Sequence, residues 1–459
     1  MNLNIKTKKL AKIIDGKIIK GKNVLIRSFS TDTRKIKPGE VFWALKGDNY
    51  NADNFIKEAL EKKASGIICS KGAFPESLKE KTDFVIETKD TLKALQKLAA
   101  FHIKKSKIPV ICVTGSNGKT TTKEMIKHIL SKKYEVCSNY GNFNNRFGLP
   151  LSVLEIEKKH ECAVFELGAS QRGDVANLAK IIRPDISVIT TIGPEHLEFF
   201  KSMSNIYKTE TEAIDYLKKG GKFIYNRDNK WLRKLEKKKI SKLSFGTDIN
   251  SNLKIIKKDK KYFFAAENGT FSIKIKNPAL HNYFNAAAAF LAAKEMGIKE
   301  KVILKALKDF PGVKMRMQEI RYGKSVIIFD AYNSNPQSLD AFLEETDCLA
   351  PQFLFLGDMK ELGKFSSYYH KEAAKKILKR QAEKIFLIGP EMKKAADFLK
   401  GKKENVKYFT GVKEALRETA RFFNKNKKAF FLFKGSRSVG LENLLPDKIR
   451  NKTSLKGAR

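Results

Sequence analysis

Cysteine is scarce in this 459-residue chain: Cys69, Cys112, Cys137, Cys162 and Cys348 are far apart, odd in number and without a CxxC pair. That excludes a disulfide framework and predicts reduced thiols filling strand positions. Proline (12) and glycine (28) are too few for a collagen-like or largely disordered chain. No run approaches the roughly 18 uncharged apolar residues of a membrane span. The opening MNLNIKTKKLAKII lacks the apolar core of a signal peptide, so a cytosolic protein without membrane insertion is expected. Arginine is scarce as well, at about 15 of the 91 basic residues, although the Arg fork is what base and phosphate clamps favour. The formal charge of +41 is therefore a lysine charge, spread over nearly every segment. Such a field attracts anionic small substrates. It predicts no specific nucleic-acid partner, and the remote alternative it leaves open is a nucleic-acid-stimulated ATPase with a polyanion groove.

Against these absences stand 42% hydrophobic and 31% charged residues, and a length about three times a typical domain of roughly 150 residues. Three segments are expected. Residues 1–105 read as short strands and turns followed by α/β alternation. KSKIP (105–109) is a charged, proline-bounded linker, so a central segment spans 106–312. It opens with the strand PVICV (109–113), a glycine-bearing turn, and a helix over about 119–132 that buries Met125, Ile126, Ile129 and Leu130. The strands CAVFEL, ISVITTI and KFIYN then alternate with helices, which predicts a parallel, doubly wound sheet. Pro311 and Gly312 mark the next boundary. Residues 313–459 repeat the alternation with SVIIFD, QFLFLGD, KIFLIG and AFFLFKG, a second nucleotide-type fold.

The sharpest local signal is the run from Thr114 through Gly115, Ser116, Asn117, Gly118, Lys119 and Thr120 to Thr121, set between strand and helix. Such a loop turns backbone N–H groups and the positive helix end toward a phosphate chain, while the lysine neutralises charge and a Thr hydroxyl can ligate Mg²⁺. ATP or GTP binding follows, although Val113 stands where the common pattern has its first glycine. The apolar run in AVFELG ends at Glu166, at the sheet edge where a carboxylate meets a phosphate-bound metal. After the next strand, the segment from Thr191 to Glu198 puts His196 at the same edge.

The runs TGSNGKTTTKEM, NYGNFNNRFGLPLSVL, ELGAS, GPEHLE and HNYFNAAAAF together resemble the Mur ligases of peptidoglycan synthesis, over essentially the whole chain. The resemblance implies an α/β protein of three domains: a small substrate domain, a central parallel-sheet P-loop ATPase domain and a C-terminal Rossmann-like domain. The segment from Asp330 to Pro336, then Gly357-Asp358-Met359 with Glu361-Leu362-Gly363, then Lys434-Gly435-Ser436-Arg437 are similar to the branch that adds D-alanyl-D-alanine to UDP-N-acetylmuramoyl-tripeptide. Another amino acid ligase of the superfamily is the nearest alternative.

The resemblance implies ATP and Mg²⁺ as cofactors, these two substrates as the partners, and a monomer. It assigns the loop from Gly115 to Thr121 to ATP, with Lys119 on the β/γ-phosphates and Thr120 and Glu166 on a first Mg²⁺. His196 falls to a second cation, Asn282 and Asn285 to adenine, Asp330 to ribose and Arg316 to the nucleotide phosphates. Ser30, Thr31, Asp32 and Arg34 are similar to the family's UDP-substrate segment, and Asn145, Asn333, Asn335 and Arg437 are further substrate candidates. Two departures stand out. Asn51-Ala52-Asp53-Asn54 replaces an Asp-Gly-His segment before Phe55, which puts uridine contacts from that loop in doubt. Glu210 falls where relatives carry a lysine whose carbamate ligates the second Mg²⁺, so it is expected to supply the catalytic carboxylate instead. Lys208, two residues away, keeps the carbamate alternative open. With Asp330 and Arg316 on one domain and the loop on another, the site is expected to be complete only when those domains dock.

Overall fold

The computed structural model describes residues 3–48, 50–259, 261–425 and 428–453. Its three large sheets succeed one another along the chain. The first has Lys17–Gly21, Phe84–Thr88, Gly66–Ser70, Val41–Trp43 and Phe29–Ser30 in spatial order, parallel except at its first pair. Helix Thr91–Ser106, capped by the Asp90 side chain on the Lys93 amide, joins this sheet to the central one. Trp43 Nε1 donates to the Thr91 carbonyl at 3.0 Å, while Gln96 Nε2 donates to the Arg146 carbonyl at 3.1 Å. The segment read as the end of the first domain thus packs on both neighbours.

The second sheet sets Val110–Thr114 between Ile186–Ile189 and Cys162–Glu166. All residues of these three strands are buried, as expected where helices cover both faces of a parallel sheet. Helix Lys119–Leu130 returns across the sheet and buries Met125, Ile126, Ile129 and Leu130. This sheet is not wholly parallel. Strands Leu253–Lys258, Lys261–Ala266 and Gly269–Ile273 extend it as antiparallel hairpins. The two-residue turn Glu267-Asn268 leaves no length for the crossover that a parallel return needs.

The third sheet runs Gln318–Tyr322, Ser325–Asp330, Phe430–Lys434, Gln352–Gly357, Lys384–Ile388 and Val406–Phe409, parallel after its antiparallel first pair. One face is aromatic: the rings of Phe355 and Phe433 stack at 4.3 Å with a 4° interplanar angle. One layer of each sheet merges into a continuous buried cluster, from Ile5 to Leu432. Four cysteines are buried on strands, and burial pushes the Cys69, Cys112, Cys137 and Cys162 thiols up to about 12. Cys348 departs from the expected strand placement: it is exposed, in the connection before Gln352–Gly357. Among the described residues no helix is long and apolar enough to cross a membrane.

Candidate active site

The parallel strands deliver their carboxyl ends to one edge, and the loop after Val110–Thr114 lies there between the other two strand ends. Gly115 (φ +118°) and Gly118 (φ +82°) take left-handed backbone that favours glycine. A Cβ on Gly115 would meet Thr190 Oγ1 at 2.3 Å. The neighbouring loop holds the turn in place: the Ser116 amide donates to the Thr191 carbonyl at 2.7 Å, the Ser116 hydroxyl to Gly193 at 3.0 Å, and the Thr190 hydroxyl to Asn117 at 2.6 Å. Helix Lys119–Leu130 has no side-chain cap. Its opening turn therefore presents the N–H groups and positive dipole end that suit a phosphate.

Lys119 sits among the carboxylates of Glu195, Glu210 and Glu166. Its Nζ donates to the Gly115 carbonyl and lies 3.4 Å from Glu195 Oε2. Burial alone would lower its pKa, but Glu195, then Glu210 and Glu166, raise it. Burial pushes Glu195 the other way for an acid, up to about 7 despite the nearby ammonium. Glu166 Oε1 accepts from Asn144 Nδ2 at 2.7 Å, and Asn139 grips the Glu166 backbone on both sides. Glu166 Oε2, Glu195 Oε1 and Glu210 Oε1 are buried without a hydrogen-bond partner. Those of Glu166 and Glu195, which reach the cavity beside the phosphate loop, suit a hard divalent cation. Among the described residues no three carboxylate, His or Cys side chains are gathered closely enough to hold a metal by themselves, so a Mg²⁺ here would need further ligands from nucleotide phosphates.

The loop opens into a cavity of about 1110 Å³. Lys119, Thr120, Glu166 and His196 reach it from the central sheet, with Asn145 from the loop before helix Gly148–Val153. Asn282 and Asn285 of helix Leu280–Glu295 also line it, and Asn285 Oδ1 accepts from Thr122 at 3.2 Å. From the last domain come Arg316, Asp330, Asn333 and Asn335. Arg316 lies over the Tyr332 ring at 4.4 Å and reaches Thr120 Oγ1 at 3.3 Å, while Asn335 Nδ2 donates to Asn117 Oδ1 at 2.9 Å. The two domains are docked, so the nucleotide-site candidates converge as the split motif required.

Other expected residues are placed differently. Glu210 is buried, and its Oε2 accepts from the Thr114 hydroxyl and, at 2.5 Å, from the Gly115 amide. It braces the base of the loop and does not line the cavity wall, because helix Met203–Glu210 ends behind the loop's first turn. Lys208 is exposed on the other side of that helix. Arg437 is held by Glu442 at 2.7 Å and by Met315 Sδ at 3.2 Å, away from the cavity. Ser30, Thr31, Asp32 and Arg34 also lie outside its walls; Arg34 makes a two-pronged pair with Asp32, which lowers the Asp32 pKa. The first domain instead contributes Asp48, Asp90, Lys93 and Gln96.

Sequence reasoning missed Glu195, His281, Tyr332 and Lys434. Glu195 and His281 stand inside the motifs GPEHLE and HNYFN without a role read for either. His281 lines the cavity and has its pKa lowered by burial. Lys434, buried, pairs with Asp330 Oδ2 at 3.2 Å and donates to the Asn333 carbonyl at 2.5 Å; its pKa is lowered by burial. Lys434 opens the KGSR run, but its partner is visible only in the folded chain.

Comparison with known proteins agrees with this architecture. The Mur ligase middle domain matches residues 113–293, and the Mur ligase, glutamate ligase domain, matches residues 315–437. The UDP-N-acetylmuramoyl-tripeptide--D-alanyl-D-alanine ligase of Bacillus subtilis (strain 168) is 32% identical, covering 97% of this chain and 99% of its own. The crystal structure of MurF from Acinetobacter baumannii superposes with a TM-score of 0.87 at 27% identity, covering 96% of this chain and 97% of that one. MurF ligase from Thermotoga maritima in complex with ADP gives 0.81 at 28% identity, covering 93% and 99%. With both family domains in register along the chain and the phosphate loop at their junction, this protein belongs to the Mur ligase family.

Proposed function

We infer that the protein is an ATP-dependent amide ligase that joins D-alanyl-D-alanine to UDP-N-acetylmuramoyl-tripeptide in peptidoglycan precursor synthesis. The observation that carries this reading is the uncapped phosphate loop facing Arg316 and Asn335 of the docked last domain, in a chain that aligns end to end with ligases of that name. Joining a carboxylate to an amine in water is uphill. The tripeptide's terminal carboxylate attacks the γ-phosphate of ATP, ADP leaves, and the dipeptide amine displaces phosphate from the resulting acyl phosphate. The residues contribute positioning and charge neutralisation.

Lys119 leaves Glu195 and the Gly115 carbonyl to neutralise the β/γ-phosphates. Thr120 and Glu166 would hold a Mg²⁺ and His196 a second one; bound there, Mg²⁺ would neutralise charge on the phosphates and the attacking carboxylate. Glu210 keeps a fixed negative charge beneath the loop and braces it through the Gly115 amide. Asn282 and Asn285 face adenine, Asp330 the ribose and Arg316 the phosphates. Ser30, Thr31, Asp32 and Arg34 form the uridine-diphosphate end; Asn145, Asn333 and Asn335 serve the peptide substrates. We place the activity in the cytoplasm, in a monomer with domain limits at 105/106 and 312/313. Phosphate release with each candidate UDP-tripeptide, plus D-alanyl-D-alanine or single amino acids, tests the reading. Turnover that needs the dipeptide is expected; turnover with a single amino acid instead would overturn it.

A further inference from the structure

Glu361 belongs to the last domain and His196 to the central one, yet their side chains meet. His196 Nδ1 lies 2.5 Å from Glu361 Oε2, an ion-pair contact without the alignment of a hydrogen bond. The backbone repeats the join: the Glu198 amide donates to the Glu361 carbonyl at 3.0 Å. Gly363 lies so close to Glu198 that a Cβ on it would sit 3.1 Å from the Glu198 Cα. Both residues of the pair occupy left-handed backbone, His196 at φ +47° and Glu361 at φ +62°. Conformations of that kind are strained for residues with a side chain and persist where surrounding contacts over-determine them. On the other side, Phe200 meets the imidazole edge-on, with centroids 6.3 Å apart. The ring is therefore clamped between its own helix and a carboxylate from another domain.

We propose that Glu361 is a positioning residue for His196, supplied across the domain interface, so that docking of the last domain orients the ring for cation binding. The proposal rests on the reading of His196 as a cation ligand. An imidazole that ligates through one nitrogen is held in tautomer and orientation by a carboxylate or carbonyl on the other. With Nδ1 turned to Glu361, Nε2 is the nitrogen left for the cation. Undocking removes Glu361 and frees the ring. The coupling runs both ways, because a cation favoured by docking must favour docking by the same factor.

The test uses the full-length protein with a non-hydrolysable ATP analogue. Mn²⁺ binding is followed by electron paramagnetic resonance, and compaction by small-angle X-ray scattering with and without Mn²⁺. Wild type should become more compact with Mn²⁺ than with the analogue alone. E361A should weaken Mn²⁺ binding roughly tenfold or more and abolish the Mn²⁺-dependent part of the compaction. E361Q, whose amide oxygen can accept from the ring N–H, should stay within about twofold of wild type. No Mn²⁺-dependent compaction in wild type would overturn the proposal. So would unchanged Mn²⁺ binding in E361A, or an E361Q loss as large as that of E361A. H196A separates the two readings. If H196A binds Mn²⁺ as wild type does, the ligand role of His196 falls and the proposal with it. If H196A weakens binding and E361A does not, only the positioning role falls.

Discussion

Helix Lys119–Leu130 and helix Pro336–Glu345 each follow a parallel strand and begin at the same cavity, but their first turns are completed in opposite ways. The second closes on itself. Asn335 accepts from the Ser338 amide at 2.9 Å, the Ser338 hydroxyl accepts from the Asn335 amide at 3.0 Å, and Pro336 has no N–H to satisfy. The first helix starts at Gly118, which has no side chain to offer, so its N–H groups stay open. One strand-to-helix crossover thus makes an anion site and the other a docking surface. A handful of residues at the helix start decides which. The closed end also docks on the open one, through Asn335 and Asn117.

The largest break in this contrast is Lys119→Ala. It leaves the open end without its cation, and turnover should fall by about two to three decades, roughly 3 to 4 kcal/mol, with the thermal melt lowered as well because Glu195, Glu210 and Glu166 lose their ammonium. Phosphate release within about twofold of wild type would refute the loop's role.

Glu195→Gln sharpens the charge balance at the open end. The folded protein holds Glu195 at about 7 against an ordinary 4.5, so the fold favours the protonated acid. Stability from this group is full below about 4.5 and is lost as pH rises through about 7. Without nucleotide or divalent cation, wild type should lose up to about 3 kcal/mol relative to Glu195→Gln between pH 5 and pH 8. Melts that stay parallel across that range would remove the buried-acid assignment.

Glu210→Ala takes the brace from Gly115 and should cost about tenfold or more in turnover, near 1.4 kcal/mol. Lys208→Ala, on an exposed position, should be nearly silent, and removing bicarbonate should change nothing. A dead Lys208→Ala beside an active Glu210→Ala would restore a carbamate.

The smallest change opens the closed end. Asn335→Ala should lower stability by about 1 kcal/mol, read by denaturant melts, without creating a second nucleotide site.

The phosphate loop and its flanking strand and helix are legible before folding, because glycine spacing, a Lys-Thr pair and apolar periodicity are local signals. The hairpins after Leu253 are not: their alternation is short, and the Asn268-Gly269 cue falls one residue past the Glu267-Asn268 turn it would mark. Glu195 escapes a sequence reading for a different reason. It sits beside His196, and nothing in the run GPEHLE distinguishes a buried acid from a solvated one.

Composition, strand-helix alternation and the phosphate loop are therefore settled along the chain, since each depends on neighbours a few residues apart. The pairing of His196 with Glu361, of Asp330 with Lys434, and of Glu210 with Gly115 is settled by how the sheets dock. Those partners lie 95 or more residues apart. Whether such a carboxylate faces a cavity, a backbone amide or an imidazole is governed by burial and interdomain packing, which no local pattern encodes.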